Sequence, residues 1–377
     1  MNAPEAGIRS AIAKTPVSRR DASVRLVPPS RVKDKRPDNQ PELENRQPEL
    51  DYRQVLGTVM ASIQSELNEV EKWIASGLQV ANPSLQPMLD HVRALGGKRL
   101  RPILTLLSAK ACGKITEETI RLAAVVELLH TATLVHDDVL DKAEKRRHRP
   151  TLHQIWGVPA SVLVGDWLFT HAYGLANQGE STMPGRWIAS AAKLVCEGEI
   201  LQGQSVGNFD ISEDAYFDLL KAKTGALCGV SCQLGAWSTG AESTCHERFA
   251  EFGMTLGLAF QIYDDWLDVW GDDRVTGKTL GTDLASFKPT LPALRAISVH
   301  PQSKSDLVER LRNRDATASL DLRNLMEFSG ASAYTLQKAR SLAFDAANCL
   351  EEVGSCLDRA VLEQLARLAV AATHRAG

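Results

Sequence analysis

The sequence has no apolar run of the length that crosses a membrane, and its N-terminus has no secretory apolar core. A spanning helix needs about 20 consecutive apolar residues. A surplus of one charge is also lacking, because 43 Lys and Arg residues face 46 Asp and Glu residues, for a formal net charge of -3. This balance provides no overall field that would recruit nucleic acid. We therefore expect a cytoplasmic protein without a transmembrane segment or a nucleic-acid partner.

Cysteine and aromatic residues are scarce as well. The 7 cysteines form no C-x-x-C pair, and Cys228 and Cys232, one helical turn apart, have no nearby His or Cys to complete a metal set. They are predicted to be small buried thiols in a reducing compartment. Aromatic residues make up 6% of the chain while Ala and Leu abound, which favours helices. The 44% of hydrophobic residues suffices for a sizeable core.

Residues 1–50 differ in composition from the rest of the chain. They are rich in Pro, Arg, Asn and Gln and have almost no periodic apolar content, which predicts a disordered Pro/Arg-rich tail. An organellar transit peptide is an alternative for Ile8 to Arg25, although Glu5 and Asp21 argue against it. Residues 51–377 are then predicted to form one folded domain.

The apolar pattern of residues 51–377 is helical. Apolar residues recur at threes and fours from Val55 to Val70, and comparable runs span 120–135, 187–202, 216–239 and 248–269. No alternating strand pattern of useful length is present. The polar stretch from Pro301 to Ser319 is predicted to be a short helix within a surface loop. The fold class predicted from these patterns is all-α.

Two Asp-rich quintets are the most informative feature: D-D-V-L-D, ending at Asp141, and D-D-W-L-D, ending at Asp268. Each ends an apolar, helix-like run. Because residues four apart share a helix face, Asp137 projects beside Asp141, and Asp264 beside Asp268. Such stacked carboxylates are costly unless a cation neutralises them. Oxygen ligands in this pattern suit Mg²⁺, which binds through a few carboxylates plus substrate phosphates. Two facing clusters would hold a diphosphate between metal ions.

Basic residues accompany the first quintet. Lys98, Arg99 and Arg101 follow a Gly-Gly turn and offer charge-assisted donors to phosphate oxygens, although a solvated basic loop is an equally good interpretation. His130 lies about two helical turns before Asp137 and shares its face, although a lone His is more often structural. The run R-R-H-R-P-T after the quintet indicates either salt bridging or a second anionic substrate group.

Lysines near turns also follow the second quintet. Lys278 lies in G-K-T-L-G-T-D, and Lys288 begins K-P-T-L-P. Each group is a weak signal by itself. Four groups of this type beside two carboxylate clusters make coincidence a poor explanation.

Taken in order, these motifs resemble the trans-polyprenyl diphosphate synthase family, in particular its long-chain octaprenyl or solanesyl type. The resemblance covers the chain from about Val55 to the C-terminus. It rests on G-G-K-R-L-R-P from Gly96, L-L-H-T-A-T-L-V-H-D-D-V-L-D from Leu128, R-R-x-x-P-T from Arg146, Gly165-Asp166, Lys223-Thr224, F-Q-I-Y-D-D-W-L-D from Phe260 and G-K-x-x-G-x-D-L from Gly277. It implies an isoprenoid-synthase-type helical bundle around a deep central cavity, with 51–377 as the catalytic domain.

The resemblance also implies a reaction. An allylic diphosphate ionises, isopentenyl diphosphate attacks the carbocation, and a proton is lost. The departing pyrophosphate develops negative charge, so preplaced metals and cations lower the barrier. About two or three Mg²⁺ ions per site are implied, together with a homodimer and peripheral membrane contact for product release.

The family pattern assigns roles to individual residues. The metal would be bound by Asp137, Asp141 and Asp264, supported by Asp138, Asp265 and Asp268. The allylic diphosphate would be held by Arg146, Lys223 and Lys288, with Lys278 nearby. Isopentenyl diphosphate would be held by Lys98, Arg101, His130 and Arg147. The implied catalytic set comprises Lys223, Thr224 and Gln261. Within it, the oxygens of Thr224 and Gln261 would stabilise the developing cation. No side-chain base is needed, because pyrophosphate can accept the proton.

Two positions depart from the family pattern. His148 and Phe287 stand where the family usually has Gly, and neither replaces a charged ligand. We expect them to alter the shape of the loops near the phosphates.

Product length is argued from the helix before Asp137. Thr133 lies one turn deeper on the same face and Ala132 one residue further, about 6–8 Å below the metal site. A bulky aromatic residue there would form the floor of the pocket, and in the family small residues go with longer products. Close helix packing explains the small residues equally well. Our hypothesis is a product longer than geranylgeranyl diphosphate.

Four other kinds of protein are alternatives to this interpretation. A shorter-chain synthase shares every motif. A terpene cyclase on the same fold would not need Lys98, Arg101 and Arg147. A non-catalytic subunit of a heteromeric synthase would lack an Asp quintet, and both quintets are intact. A di-iron bundle needs two Glu-x-x-His pairs, and only Glu127 with His130 has that spacing.

Overall fold

The structure is a computed structural model that describes residues 51–272, 280–351, 353 and 357–374. The predicted N-terminal tail and Lys278 therefore lie outside the described residues.

The described chain is helical almost throughout. Its helices are α1 (Tyr52–Ser62), α2 (Gln64–Gly77), α3 (Gln86–Leu95), α4 (Leu100–Cys112), α5 (Glu117–Leu140), α6 (Leu152–Ala176), α7 (Met183–Ser205), α8 (Glu213–Leu220), α9 (Ala226–Trp237), α10 (Ser243–Trp270), α11 (Thr282–Ala285), α12 (Leu291–Ser298), α13 (Pro301–Arg312), α14 (Ala316–Phe328), α15 (Ala331–Glu351) and α16 (Arg359–Ala371). Within the described residues, the only strands are the antiparallel pair β1 (Lys145–Arg146) and β2 (Arg149–Pro150). The all-α prediction is confirmed.

Helix α5 carries the first Asp quintet at its C-terminal end. Its start is fixed by a reciprocal capping box, in which the Thr116 hydroxyl accepts a hydrogen bond from the Thr119 amide at 3.2 Å and the Thr119 hydroxyl accepts one from the Thr116 amide at 3.1 Å. Residues 121–129 are buried on every face of the helix. The helix ends at Leu140 with Asp141 as its C-cap, so the predicted position of this quintet is confirmed.

The predicted helix over 216–239 is interrupted. A π-helical turn, Lys221–Gly225, joins α8 to α9 and lies between two stretches of ordinary α-helix. Such wide turns are rare and occur mostly as single turns at functional sites. No periodicity argument distinguishes them from a continuous helix.

The main hydrophobic core joins α1 to α7 with α9, α10, α15 and α16, and Leu107, Leu122, Phe249 and Phe252 are fully buried in it. Cys228 and Cys232 are buried there too, as predicted. Among the described helices, none combines the length and apolar character that a membrane span requires.

A second core corrects the prediction for Pro301 to Ser319. This stretch is not a surface loop with a short helix, because it forms α13 and the start of α14. Their apolar faces bury Leu307, Leu311 and Leu322 against Ala296 of α12. The apolar residues are few and widely spaced, so the charged residues between them concealed the helical pattern.

Candidate active site

The first Asp motif is supported by cations. Asp138 is 4% exposed, and its Oδ1 accepts a hydrogen bond from Arg146 Nε at 2.8 Å and lies 2.8 Å from Nη2 of the same guanidinium. Asp141 is exposed and forms an ion pair with Lys288, Nζ to Oδ1 3.1 Å. Lys288 follows the second motif, so this ion pair joins the two motifs across 147 positions of sequence.

Asp137 is a carboxylate of this motif whose charged form is disfavoured by its surroundings. Burial is the largest cause that raises the pKa of its carboxyl group to about 7, and the neighbouring charge of Glu199 adds to the effect, while Lys223 opposes it. The motif also lies at a helix C-terminus, where the helix dipole disfavours further negative charge. A cation at this carboxylate would relieve both effects.

An arginine cluster surrounds His130, which lies on α5 before the first motif. Burial, followed by the charges of Arg101, Arg146, Arg147 and Arg99, lowers the pKa of His130 well below its usual value. The imidazole is therefore neutral at neutral pH. The cluster offers several positive charges and one neutral ring to an anion.

The glycine-rich loop before α4 is held by specific contacts and is not only a solvated basic loop. Gly96 has a φ of 60°, so the predicted sharp turn is present. Arg99 forms one ion pair with Glu71 and another with the buried Glu127, whose Oε1 lies 2.9 Å from Arg99 Nη1. Glu127 is thus committed to an arginine rather than offered to iron, which removes the basis of the di-iron alternative.

The other two cations of this region have separate positions. Arg147 donates from Nη1 to the Leu95 carbonyl oxygen at 2.9 Å, which ties the hairpin after α5 to the glycine-rich loop. Lys98 is exposed, and its Nζ lies 5.8 Å from the centre of the Tyr52 ring.

The β1–β2 hairpin positions Arg146. Its two turn residues, Arg147 and His148, have φ values of 50° and 64°, the left-handed pair that a two-residue hairpin turn needs. Phe287, the second departure from the family pattern, also has a positive φ, of 55°. His148 and Phe287 thus both lie in the left-handed region that Gly adopts readily, and their effect on loop shape stays a prediction.

The second Asp motif, on α10, is supported by neutral donors. Asp265 is 4% exposed; its Oδ2 accepts a hydrogen bond from the Tyr216 hydroxyl and its Oδ1 one from Gln261 Nε2 at 3.0 Å. Burial, followed by the charge of Asp283, raises the pKa of Asp265 to about 8. Asp264 beside it is half-buried.

Asp268 holds the segment that returns to the site. Its carboxylate accepts hydrogen bonds from the Thr282 amide at 3.2 Å, the Thr282 hydroxyl at 3.1 Å and the Asp283 amide at 3.1 Å. These bonds fix the start of α11. Burial and the nearby Asp268 raise the pKa of Asp283 to about 6.

Lys223 and Thr224 lie on the π turn. A Cβ at Gly198 of α7 would come within 2.7 Å of the Lys223 amide nitrogen, so only glycine allows this close approach. Lys223 Nζ reaches Glu199 Oε1 at 2.7 Å and Gln202 Oε1 at 2.6 Å. The Thr224 hydroxyl donates to Gln261 Oε1 at 3.1 Å, so α7, the π turn and α10 converge here.

A cavity of about 140 Å³ lies at this convergence. Predicted site residues and unpredicted ones line it together: Gln202, Tyr216, Lys223, Gln261, Asp265, Asp283 and Lys288. Four residues at this site were not predicted from the sequence, namely Glu199, Gln202, Tyr216 and Asp283. Asp283 is the last charged residue of the G-K-x-x-G-x-D-L motif, so the motif could have identified it. The other three residues lie in no motif that would have identified them.

The carboxylates fit a divalent cation that shares its ligands with a substrate. Within the described residues, no three or more His, Cys, Asp or Glu side chains stand close enough to hold a metal ion by themselves. Mg²⁺ normally takes one or two carboxylates and completes its shell with phosphate oxygens and water. The oxygen-only donors and the raised pKa of Asp137 suit that mode.

Comparison with known proteins identifies the family. A family model described as polyprenyl synthetase matches residues 82–328, more than half of the chain. The chain belongs to the polyprenyl synthetase family. This polyprenyl synthetase is a transferase that makes a trans-polyprenyl diphosphate, as the resemblance of its motifs implied.

Individual relatives cover most of the chain. The all-trans-nonaprenyl-diphosphate synthase (geranyl-diphosphate specific) of Rhodobacter capsulatus is 33% identical over 323 residues, which are 85% of this chain and 98% of the relative. The geranylgeranyl diphosphate synthase of Saccharolobus solfataricus is 33% identical over 268 residues, 69% of this polyprenyl synthetase and 80% of the relative. The relatives therefore include both longer- and shorter-chain synthases.

A solved structure agrees with the fold. The polyprenyl synthase of Caulobacter crescentus, complexed with calcium and isoprenyl diphosphate, has a TM-score of 0.80 and 32% identity to this chain. The match covers 88% of this chain and 100% of that structure. The isoprenoid-synthase-type architecture predicted from the motifs is confirmed.

Proposed function

We propose that the protein is a Mg²⁺-dependent synthase that extends an allylic diphosphate with isopentenyl diphosphate. The observation that carries the proposal is the presence of two groups of cations beside the Asp motifs. One group is the arginine cluster around His130, and the other comprises Lys223 and Lys288 at the cavity. Two anionic substrates need two such groups, whereas a cyclase that binds one diphosphate needs only one.

The metal would be held by Asp137 and Asp141 on α5 and by Asp264 on α10. Asp138, Asp265 and Asp268 support them through their contacts with Arg146, Gln261 and Thr282. When bound, Mg²⁺ neutralises charge on the departing diphosphate. The calcium and isoprenyl diphosphate in the Caulobacter crescentus structure support a divalent cation at this type of site.

The residues of the chain bind and orient the two substrates. Lys223, Lys288 and Arg146 would hold the allylic diphosphate, and Lys98, Arg101, Arg147 and the neutral His130 would hold isopentenyl diphosphate. The oxygens of Thr224 and Gln261 would face the allylic group as positive charge develops on it. The role of Lys278 stays a prediction, since the structure does not describe this residue.

One assay tests this function. Purified protein is incubated with Mg²⁺, isopentenyl diphosphate and farnesyl diphosphate, and the prenyl products are sized by chromatography, with an EDTA-treated sample as the control. We expect elongation that depends on the metal. Failure to extend geranyl, farnesyl or geranylgeranyl diphosphate would contradict the proposal.

We further propose that the product is longer than geranylgeranyl diphosphate. Ala132 is 1% exposed within the main core, whereas Thr133 is half-buried and donates its hydroxyl to the His130 carbonyl oxygen at 2.8 Å. Neither side chain closes the space below Asp137 with an aromatic ring. Ala132→Tyr should therefore shorten the product, and Thr133→Tyr serves as a second variant if the buried position does not accept a ring. Unchanged product lengths in both folded variants would contradict the hypothesis.

The exposed apolar residues of α6 and α7 support a homodimer. Leu163 is 67% exposed and Ile200 61%, and three further apolar residues of α6, Ile155, Val158 and Val162, are between 39% and 48% exposed. Exposed apolar residues in such number are typical of protein interfaces. Sedimentation should show a dimer that Leu163→Glu weakens; a wild-type monomer would contradict it. Cytoplasmic location and membrane contact for product release stay predictions.

A further inference from the structure

Tyr216 is the buried cavity residue to which none of the roles above applies. It lies on α8 and is 3% exposed. Its hydroxyl donates a hydrogen bond to Asp265 Oδ2, while Asp265 Oδ1 accepts from Gln261 Nε2 at 3.0 Å. Both oxygens of this carboxylate are therefore engaged, one by each donor.

These bonds set the direction of the Gln261 amide. An amide has one donor end and one acceptor end, and the two are distinguished only by their hydrogen-bond partners. In the structure, Gln261 Nε2 donates to Asp265 Oδ1, so the donor end of the amide lies on the Asp265 side. Oε1 then faces Thr224, whose hydroxyl donates to it at 3.1 Å. The hydrogen bonds thus converge on Asp265, with Tyr216 donating from one side and Thr224, through Gln261, from the other.

We propose that Tyr216 is a positioning residue that acts through Asp265 to hold the oxygens of Gln261 and Thr224 in place for the allylic group. The inference rests on the proposed function, in which these oxygens face a developing positive charge. A flipped amide would present its positively polarised Nε2 hydrogens to that charge and raise the barrier.

Loss of the hydroxyl would release the whole chain of bonds. Without it, Asp265 Oδ2 is a buried acceptor with one partner fewer, and the carboxylate gains freedom to rotate. The amide of Gln261 then loses the constraint on its orientation. Tyr216 would act on the allylic group only through Asp265 and Gln261. Its loss should therefore lower kcat and leave the binding of isopentenyl diphosphate unchanged.

The setting of Tyr216 suits a rigid support. Its ring is buried beside Leu219, Ile262 and Tyr263, and it packs edge-on against Phe217 with ring centres 5.7 Å apart. The Ser212 hydroxyl caps α8 by accepting from the Ala215 amide at 3.1 Å. Packing that fixes a side-chain rotamer is what a positioning residue requires.

Tyr216→Phe removes the hydroxyl and keeps the ring. We expect kcat to fall by about tenfold, in line with the loss of one hydrogen bond. KM for isopentenyl diphosphate should not change, because the arginine cluster is outside this chain of bonds. Tyr334→Phe is the matched control: it removes a hydroxyl that donates to the Glu213 carboxylate at 2.6 Å, away from the cavity. It should keep wild-type kcat.

A double-mutant cycle separates positioning from simple structural support. Gln261→Ala is made alone and together with Tyr216→Phe, and thermal unfolding verifies that each variant folds. If Tyr216 acts through Gln261, its substitution adds less than twofold to the loss caused by Gln261→Ala. A kcat for Tyr216→Phe within twofold of wild type, or losses that multiply in the double variant, would overturn the inference.

A readout without turnover keeps the inference separate from the proposed function. The side-chain amide protons of Gln261, followed by NMR in the full chain, should exchange slowly in the wild type and at least tenfold faster in Tyr216→Phe. Equal exchange in the two proteins would contradict the role of Tyr216. A wild-type protein that extends no primer would contradict the proposed function, and the exchange measurement would still decide the inference.

Discussion

The two Asp motifs share the D-D-x-x-D spacing but differ in how the protein supports them. In the first motif the buried middle carboxylate, Asp138, is held by the guanidinium of Arg146. In the second, the equivalent Asp265 is held by the neutral donors Tyr216 and Gln261. The spacing decides which carboxylates share a helix face. The elements packed against the helix decide how their charge is compensated.

This difference gives the two motifs different requirements. Burial raises the pKa of Asp138 as well, but the counter-charge of Arg146 opposes this rise. Asp265 has none, and burial raises its pKa to about 8, so it keeps its proton at neutral pH in the metal-free protein. The second motif therefore depends more on a bound cation than the first.

The largest expected effect is on activity. Asp137→Ala and Asp264→Ala each remove one proposed metal ligand, one from each motif, and should each lower kcat/KM by at least about 100-fold. Initial rates at saturating Mg²⁺ measure this. Asp218→Ala is the control, because this exposed carboxylate pairs with Lys221, at 2.8 Å, and has no proposed role in the site. If either variant kept a tenth of the wild-type rate, the motif it belongs to would not hold the metal as proposed.

The next effect is on stability, and here the motifs should diverge. Asp138→Asn removes the counter-charge of Arg146 and should lower the free energy of unfolding by about 2 kcal/mol. Asp265→Asn replaces a carboxyl group that is already protonated, so the change should stay within about 1 kcal/mol. Urea denaturation in EDTA compares them. Equal losses in the two variants would mean that the motifs are supported alike.

The pH dependence should sharpen the same contrast. The pKa of Asp265 is about 8 in the folded protein and about 4 in the unfolded chain. The folded state then binds the extra proton between these values, so its stability is greatest at low pH and falls as pH rises through that window. Asp137, with a pKa of about 7, adds a smaller fall of the same sign.

Denaturation of the metal-free protein across this window measures the effect. Asp265→Asn should flatten the curve, while Asp218→Asn should leave the wild-type slope. A stability difference between the wild type and Asp265→Asn that stays constant from about pH 5 to about pH 8 would contradict the raised pKa of Asp265.

The smallest expected effects concern the loops behind the motifs. His148 and Phe287 both hold positive φ values, which cost about 1 kcal/mol for residues other than glycine. His148 is exposed, so His148→Gly should stabilise the protein by about that amount. Phe287 packs against the second core, so Phe287→Gly should destabilise it despite the relieved backbone. Unfolding temperatures that shift in the same direction would contradict this distinction.

The sequence predicted the features that depend on local periodicity. The run over 120–135 became α5, and the run over 248–269 became α10, each with an Asp quintet at its C-terminal end. The resemblance of the motifs predicted the family and the fold class. These predictions succeeded because helix period and motif order are properties of neighbouring residues.

Features that depend on distant partners were not predictable. Nothing near Arg99 in the sequence shows that it pairs with Glu127 rather than with a substrate. Glu199 carries no motif signal, and it enters the site only because α7 packs closely on the π turn. The π turn is itself a local departure from the α-helical period, and the helical pattern of α8 and α9 does not reveal it.

In the proposed function, the ion pair between Lys288 and Asp141 would make metal and diphosphate binding interdependent. Each partner of this pair has a second proposed role, Asp141 toward the cation and Lys288 toward the phosphate. A cation that takes Asp141 frees Lys288 for the diphosphate, and a diphosphate that takes Lys288 frees Asp141 for the cation. By thermodynamic linkage, we expect each to increase the affinity for the other by the same factor. The Lys288–Asp141 ion pair would thus compete with both the cation and the diphosphate. The two ligands together would displace it more readily than either one alone.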